Sequence, residues 1–165
     1  MSDGPSLIAL IPRLRRYARA LAGERAAADD LVQDTLERAW SKLHLFRRGT
    51  DLRAWLFTVM HNVYVNQVRA ARPTDALEDD MPELAQRASQ GDALLVRDLE
   101  RAISALPEAQ REVLLLVALE DLSYEETARV LGIPIGTVMS RLARAREKLR
   151  ALMQGKGGTK LQIVR

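Results

Sequence analysis

The residues best suited to chemistry lie near the C-terminal end of the chain. Arg141, Arg144, Arg146, Lys148 and Arg150 put five bases into ten residues that hold one acid, Glu147. Thr137 and Ser140 come just before them. At 100° per residue, Val138, Leu142, Ala145 and Leu149 fall within about 60° of one another and make a stripe for burial. Thr137, Arg141, Arg144 and Lys148 gather on another side with Ser140 at its margin, while Arg146 and Arg150 flank the stripe from the opposite direction. Such a helix fits the major groove of DNA. An arginine can reach guanine at two points there, and further bases neutralise phosphates. Thr137 and the free N–H groups of the first turn can hold a phosphate.

The preceding segment supports that use. Ser123-Tyr124-Glu125-Glu126 has the Ser-x-x-Glu form of a capping box, and Gly132 suits the left-handed position after the helix it opens. Two helices joined by a short glycine-containing turn, with arginine and hydroxyl residues early in the second, form a helix-turn-helix pattern. A plain bundle helix with arginine on its surface shares this composition, so the segment alone leaves both readings open.

Other chemistries lack their residues. The chain has no cysteine, which removes disulfides and cysteine-based zinc sites and fits a reducing, cytoplasmic location. His44 and His61 are the only histidines and have no ligand pattern around them. No Walker loop is present. The expectation is a non-enzyme with no metal and no cofactor. The longest apolar run, Val113–Leu119, is far shorter than the ~20 residues needed to span a bilayer. The N-terminus places its bases after its apolar stretch, the reverse of a signal peptide, so no membrane insertion is expected.

The net charge is +3, unevenly spread. Residues 1–72 carry a net +5, residues 73–98 a net −5, and residues 99–165 a net +3. Two basic blocks around an acidic one suggest two units that each approach a polyanion. Two solvated helical domains with a chance imbalance would read the same way.

The elements that must position the basic helix read as helices throughout, in an all-α chain of 165 residues with little or no strand. Leu10, Leu14, Tyr17 and Leu21 recur at helical spacing, with Pro12 either starting or kinking their helix. Ala28, Leu31, Val32, Thr35, Leu36, Ala39 and Leu43 form a second stripe. Thr50 or Asp51 can cap a third helix with Trp55, Leu56, Val59, Met60 and Val63 on its buried side. Residues 73–91 read as a flexible acidic linker. Leu95, Leu99, Ala102 and Leu106 then make one helical face, Pro107 suits the first position of the next helix, and Tyr124, Ala128 and Leu131 share a side of the helix after it. The division expected is two small helical domains, 1–72 and 92–154, each with a marginal core, and a frayed tail at 155–165.

The chain resembles the extracytoplasmic-function sigma factors, the two-domain class of bacterial transcription initiation factors. DDLVQDTLERAW followed by GTDLRAWLFTVMHNVYVNQVR looks like sigma region 2, and LPEAQREVLLLVALEDLSYEETARVLGIPIGTVMSRLARAREKLR looks like sigma region 4. The segment LHLFRRGTDLRAWLFTVMHN resembles the subgroup that serves the alphaproteobacterial general stress response.

The resemblance implies roles residue by residue. Asp30, Gln33, Asp34, Glu37 and Trp40 correspond to the surface that docks on core RNA polymerase. Trp40 lies off the buried stripe, where an exposed tryptophan among charges can be a binding hot spot or can pack under the next loop. Asn62 corresponds to the pocket that takes a flipped base of the −10 promoter element, with His61 and Tyr64 beside it and Arg53, Arg69 and Arg72 for the backbone. His61 departs from the basic or small residue common at its position, and Asn62 can also be read as a helix-breaking cap. Thr137, Ser140, Arg141, Arg144, Arg146 and Lys148 correspond to the −35 readers. The acidic linker either mimics nucleic acid in a polymerase channel or is simply solvated. The partners implied are core polymerase, promoter DNA and an anti-sigma factor, with the free chain a monomer. The competing reading is a helix-turn-helix regulator that binds duplex DNA as a dimer, with the first block for sensing or dimerisation.

Overall fold

Pro12 starts a helix rather than kinking one. The computed structural model describes residues 4–47, 49–71 and 91–155. In it a first helix, α1, covers Gly4–Ala9 and a second, α2, covers Ile11–Ala22. Pro12 sits in the first turn of α2, where a missing N–H breaks no helical bond. Gly23 ends α2 at φ 79°, a left-handed value that a glycine adopts without strain. α3 runs Arg25–Ser41 and buries Ala28, Leu31, Val32, Thr35 and Ala39 of the stripe expected, while Leu36 is partly buried and Leu43 falls past the end of the helix. After a tight turn at Leu43–Leu45, α4 runs Leu52–Ala71. Asp51 caps it, its Oδ1 accepting the N–H of Arg53 at 3.0 Å.

The second half begins with α5, Gly91–Ser104, followed by α6, Glu108–Leu114. Pro107 stands just outside α6, with ψ 146°, rather than as its first helical residue. The chain then widens into one π-turn over Leu115–Leu119, closed by the N–H of Glu120 on the carbonyl of Leu115. α7, Tyr124–Leu131, carries the complete capping box between Ser123 and Glu126. Gly132 at φ 68° turns the chain into α8, Ile135–Gly155. No strand occurs among the described residues.

α2, α3 and α4 pack as one unit, and α5 to α8 as another. The two small helical units expected from the sequence are present, and they meet each other. α4 lies against α7 and α2 against α5, and the buried side chains form one continuous cluster from Leu7 to Ala145. Units this small bury little apolar surface alone, so joining them adds burial that neither has by itself.

Two expected faces also differ. Ala102 and Leu106 are buried, but Leu95 and Leu99 are exposed together with Val96, because α5 meets its neighbours with its C-terminal half. In α7 the core side is Thr127, Val130 and Leu131, with Tyr124 turned outward. Residues 72–90 and those beyond Gly155 lie outside the described residues, while Gly91, expected in the linker, opens α5 and Gly155, expected in the tail, ends α8.

Candidate nucleic-acid interface

α8 is held by its stripe. Val138, Leu142 and Ala145 are buried and Leu149 is partly buried, so the rest of the helix surface points away from the core. Ser140, Arg144, Arg146 and Lys148 are exposed there, while Thr137 and Arg141 are half-buried at the edge of the stripe. The Ser140 hydroxyl donates to the carbonyl of Thr137 at 3.4 Å. None of these four bases takes part in an ion pair among those described, so each guanidinium or ammonium group keeps its donors for a partner. Two exposed side chains on this surface were missed from sequence. Ile135 and Met139, one turn apart at the start of α8, are 39% and 47% exposed. Apolar groups there suit the methyl group of thymine, which carries sequence information in the major groove. Their departure from the basic pattern was the available signal.

The surface expected to meet polymerase is open. Asp30, Gln33, Asp34 and Glu37 are exposed along α3, and Trp40 is 62% exposed. That exposure removes the reading in which Trp40 packs under the following loop. Asp34 accepts a hydrogen bond from Gln67 of α4 at 2.6 Å, which fixes its carboxylate on that face.

The residues expected at the −10 element divide into two groups. Asn62 is exposed in the interior of α4, so it is not a helix-ending cap, and Arg69 is exposed two turns later. Arg53, His61 and Tyr64 face the second unit instead. Arg53 donates to the carbonyl of Glu120 at 3.2 Å and lies 3.9 Å from the carboxylate of Glu126. The Nδ1 of His61 is 2.6 Å from Oε2 of Glu112, a carboxylate buried in α6. Tyr64 is buried as well. Arg72 falls outside the described residues. The structure therefore brings Arg53, His61 and Tyr64 together with the second unit and leaves Asn62 and Arg69 on the surface.

Burial pushes the Tyr64 phenol up to about 12, with the carboxylate of Glu108 adding to the shift and Arg111 opposing it. The sign follows from linkage. A group whose folded value lies above its unfolded value of 10.0 gives full stabilisation below that pH and loses it as pH rises toward the folded value. The expected outcome is a fall in stability above pH 10.0 that Tyr64→Phe reduces, read by denaturant titration at several alkaline pH values. The remainder comes from Tyr17, whose phenol is also pushed well up by burial.

Two family models match the chain. One described as the sigma2 domain of PhyR covers residues 7–61, and one described as sigma-70 region 4 covers residues 97–149. The ECF RNA polymerase sigma factor EcfG of Rhodopseudomonas palustris is 39% identical over 149 residues, 89% of this chain and 82% of that one. The ECF RNA polymerase sigma factor SigM of Mycobacterium tuberculosis is 35% identical over 143 residues, 86% of this chain and 71% of its own. Among solved structures, the sigma factor RpoE of Bartonella quintana, in complex with the anti-sigma factor NepR, superposes with a TM-score of 0.75 at 32% identity. That match covers 93% of this chain and 98% of RpoE.

Proposed function

The chain belongs to the ECF RNA polymerase sigma factors, and on that premise we propose how its parts divide the work of directing polymerase to promoters. It is of the alphaproteobacterial general-stress type, and an anti-sigma factor controls it. It acts in the cytoplasm and contributes no catalytic group of its own, since the reaction belongs to the polymerase. α3 docks on the core enzyme, with Trp40 as the apolar anchor among Asp30, Gln33, Asp34 and Glu37. α4 reads the −10 element. Asn62 offers an amide to the edge of an unstacked base, and Arg53, Arg69 and Arg72 hold the backbone. His61 and Tyr64 join the same surface when it is free, as a hydrogen-bonding ring and a stacking ring. α8 enters the major groove at the −35 element. Thr137, Ser140, Arg141 and Arg144 meet base edges and phosphates, and Arg146 and Lys148 neutralise the backbone.

The observation that carries this reading is the geometry of α8. One helix buries three apolar residues of its stripe and turns a set of exposed bases and hydroxyls outward, behind a capped helix and a left-handed glycine. The test is run-off transcription with purified bacterial core polymerase and a set of promoter fragments. The unaltered chain should direct initiation from specific sites. Arg141→Ala should weaken a −35-dependent promoter by about 1–3 kcal/mol and relax its sequence preference locally. Asn62→Ala should impair melting of the −10 element while leaving duplex −35 contacts alone. Trp40→Ala should weaken core binding by about 2 kcal/mol without touching either DNA site. Absence of initiation, with tight dimeric binding to duplex DNA by the protein alone, would make it an ordinary helix-turn-helix regulator.

A further inference from the structure

The two units meet around one buried carboxylate. Glu120 follows the π-turn of the second unit and is fully buried. Its two oxygens face two arginines one turn apart on α2 of the first unit. Oε2 accepts a hydrogen bond from Arg16 at 3.3 Å. Oε1 lies 3.3 Å from Nε of Arg13, in ion-pair range but off the hydrogen-bonding line. The main-chain carbonyl of the same residue accepts from Arg53 of α4. Glu120 thus binds both α2 and α4 of the other unit through one residue. The π-turn explains how. An extra residue in the turn swings the next residue off the helical path, and Asp121 at φ 57° then carries the chain away.

A buried carboxylate is costly unless it is paired. Here every described cationic partner of Glu120 comes from the other unit. Separating the units without rehydrating Glu120 would leave that charge alone, so the pairing favours the closed arrangement. That arrangement also holds Arg53, His61 and Tyr64 against the second unit, while Trp40 and the acidic face of α3 stay exposed.

We propose that Glu120, clamped by Arg13 and Arg16, is a self-inhibitory latch that closes the two units on each other and keeps Arg53, His61 and Tyr64, the part of the −10-reading face of α4 next to the second unit, covered until the chain opens, while Asn62 and Arg69 stay exposed. The proposal rests on the sigma-factor reading for the meaning of that face, but not for the latch itself. The closure needs no second protein. An effector that separates the units competes with this clamp, and one that binds both units at once strengthens it. Because Arg13 and Arg16 are 37% and 52% exposed at their side chains, salt reaches the pair, and raised ionic strength favours opening.

The absence of native cysteine makes the test direct. Ala27→Cys and Ala151→Cys, both at exposed positions and one in each unit, take a pair of spin labels on the full chain. Inter-label distances are then measured for the free protein, for Glu120→Gln, and for the double variant Arg13→Ala with Arg16→Ala. The double variant alters only partly exposed side chains of α2, so it opens the units without disturbing the fold of the second one. Thermal unfolding monitored by circular dichroism confirms that each variant is folded. The labelled parent should show one short distance. Both sets of substitutions should raise the open-to-closed ratio about tenfold or more. Both should also raise run-off transcription at limiting protein by a similar factor.

Distances unchanged in both variants would overturn the latch. Opening without any gain in transcription would overturn its inhibitory role. A parent chain that initiates nothing at saturating concentration would bring down the sigma reading and the inhibitory role with it, and the distance measurement would still decide the latch.

Discussion

Replacing Phe57 with alanine is expected to cost about 3–5 kcal/mol of folding stability, the usual range for emptying an aromatic site in a packed core. Phe57 is 2% exposed in α4, and its ring meets Tyr17 of α2 edge to face, with centroids 5.0 Å apart and planes at 69°. The loss has two parts. The ring's own burial disappears, and Tyr17 loses the partner that its quadrupole favours. Leu56 and Met60, both fully buried on the same helix, limit how far the site can collapse around the gap. For a chain of this size the expected fall in Tm is roughly 10 °C. Differential scanning calorimetry decides the point. A drop of only a degree or two would mean that this part of the core is loosely packed. The shape of the transition is informative too. Because the buried cluster runs through both units, the unaltered chain should unfold in one step, with calorimetric and van't Hoff enthalpies equal.

Arg111→Met is expected to destabilise the protein by about 3 kcal/mol although it deletes no core side chain. The Arg111 guanidinium donates to four main-chain carbonyls. It reaches Leu21 at 3.0 Å, Ile103 at 3.1 Å, Ser104 at 2.9 Å and Leu106 at 2.7 Å. Leu21 lies in the last turn of α2, and Ile103 and Ser104 in the last turn of α5. The carbonyls of Leu21 and Ser104 have no partner within their own helices, that of Ile103 also accepts the N–H of Leu106, and each helix end carries a partial negative charge that a cation offsets. One side chain therefore finishes two helices from different units. Methionine keeps much of the stem's packing while removing every donor, so the measured loss isolates the hydrogen bonds and the charge. Urea unfolding at neutral pH gives the number. An unchanged midpoint would show that water replaces the guanidinium at all four carbonyls.

The two effects differ in how far each could be foreseen. Tyr17 lies on a helical stripe and Leu56, Val59, Met60 and Val63 mark a buried side of α4, but Phe57 was not among the residues expected there, and only the packing against Tyr17 shows it buried. Arg111 sits in PEAQREVL, where it reads as one more charged surface residue. Nothing in its local pattern announces four acceptors, because they come from Leu21, Ile103, Ser104 and Leu106, and one of these is 90 positions away. The same holds for Glu120. It ends an apolar run read as the last residue of a helix, where nothing local marks a partner, yet it is fully buried against arginines more than 100 residues earlier.

By itself the sequence determined what local physics controls. Helical periodicity placed the stripes of α3 and α8. The Ser123–Glu126 capping box and Gly132 marked both ends of α7, since these depend on neighbours within a turn. The resemblance of two motifs to sigma regions, in the family's order, pointed to the family, and the same wheel that buries Val138 turns Arg144 and Lys148 outward. Tertiary structure alone decided how the halves meet. It brought the two expected units into contact through one buried cluster, exposed Leu95 and Leu99, and set Arg53, His61 and Tyr64 against the second unit. The reason is range. Capping and periodicity act over a few residues, whereas charge pairing and apolar burial between units depend on which distant faces come together in space.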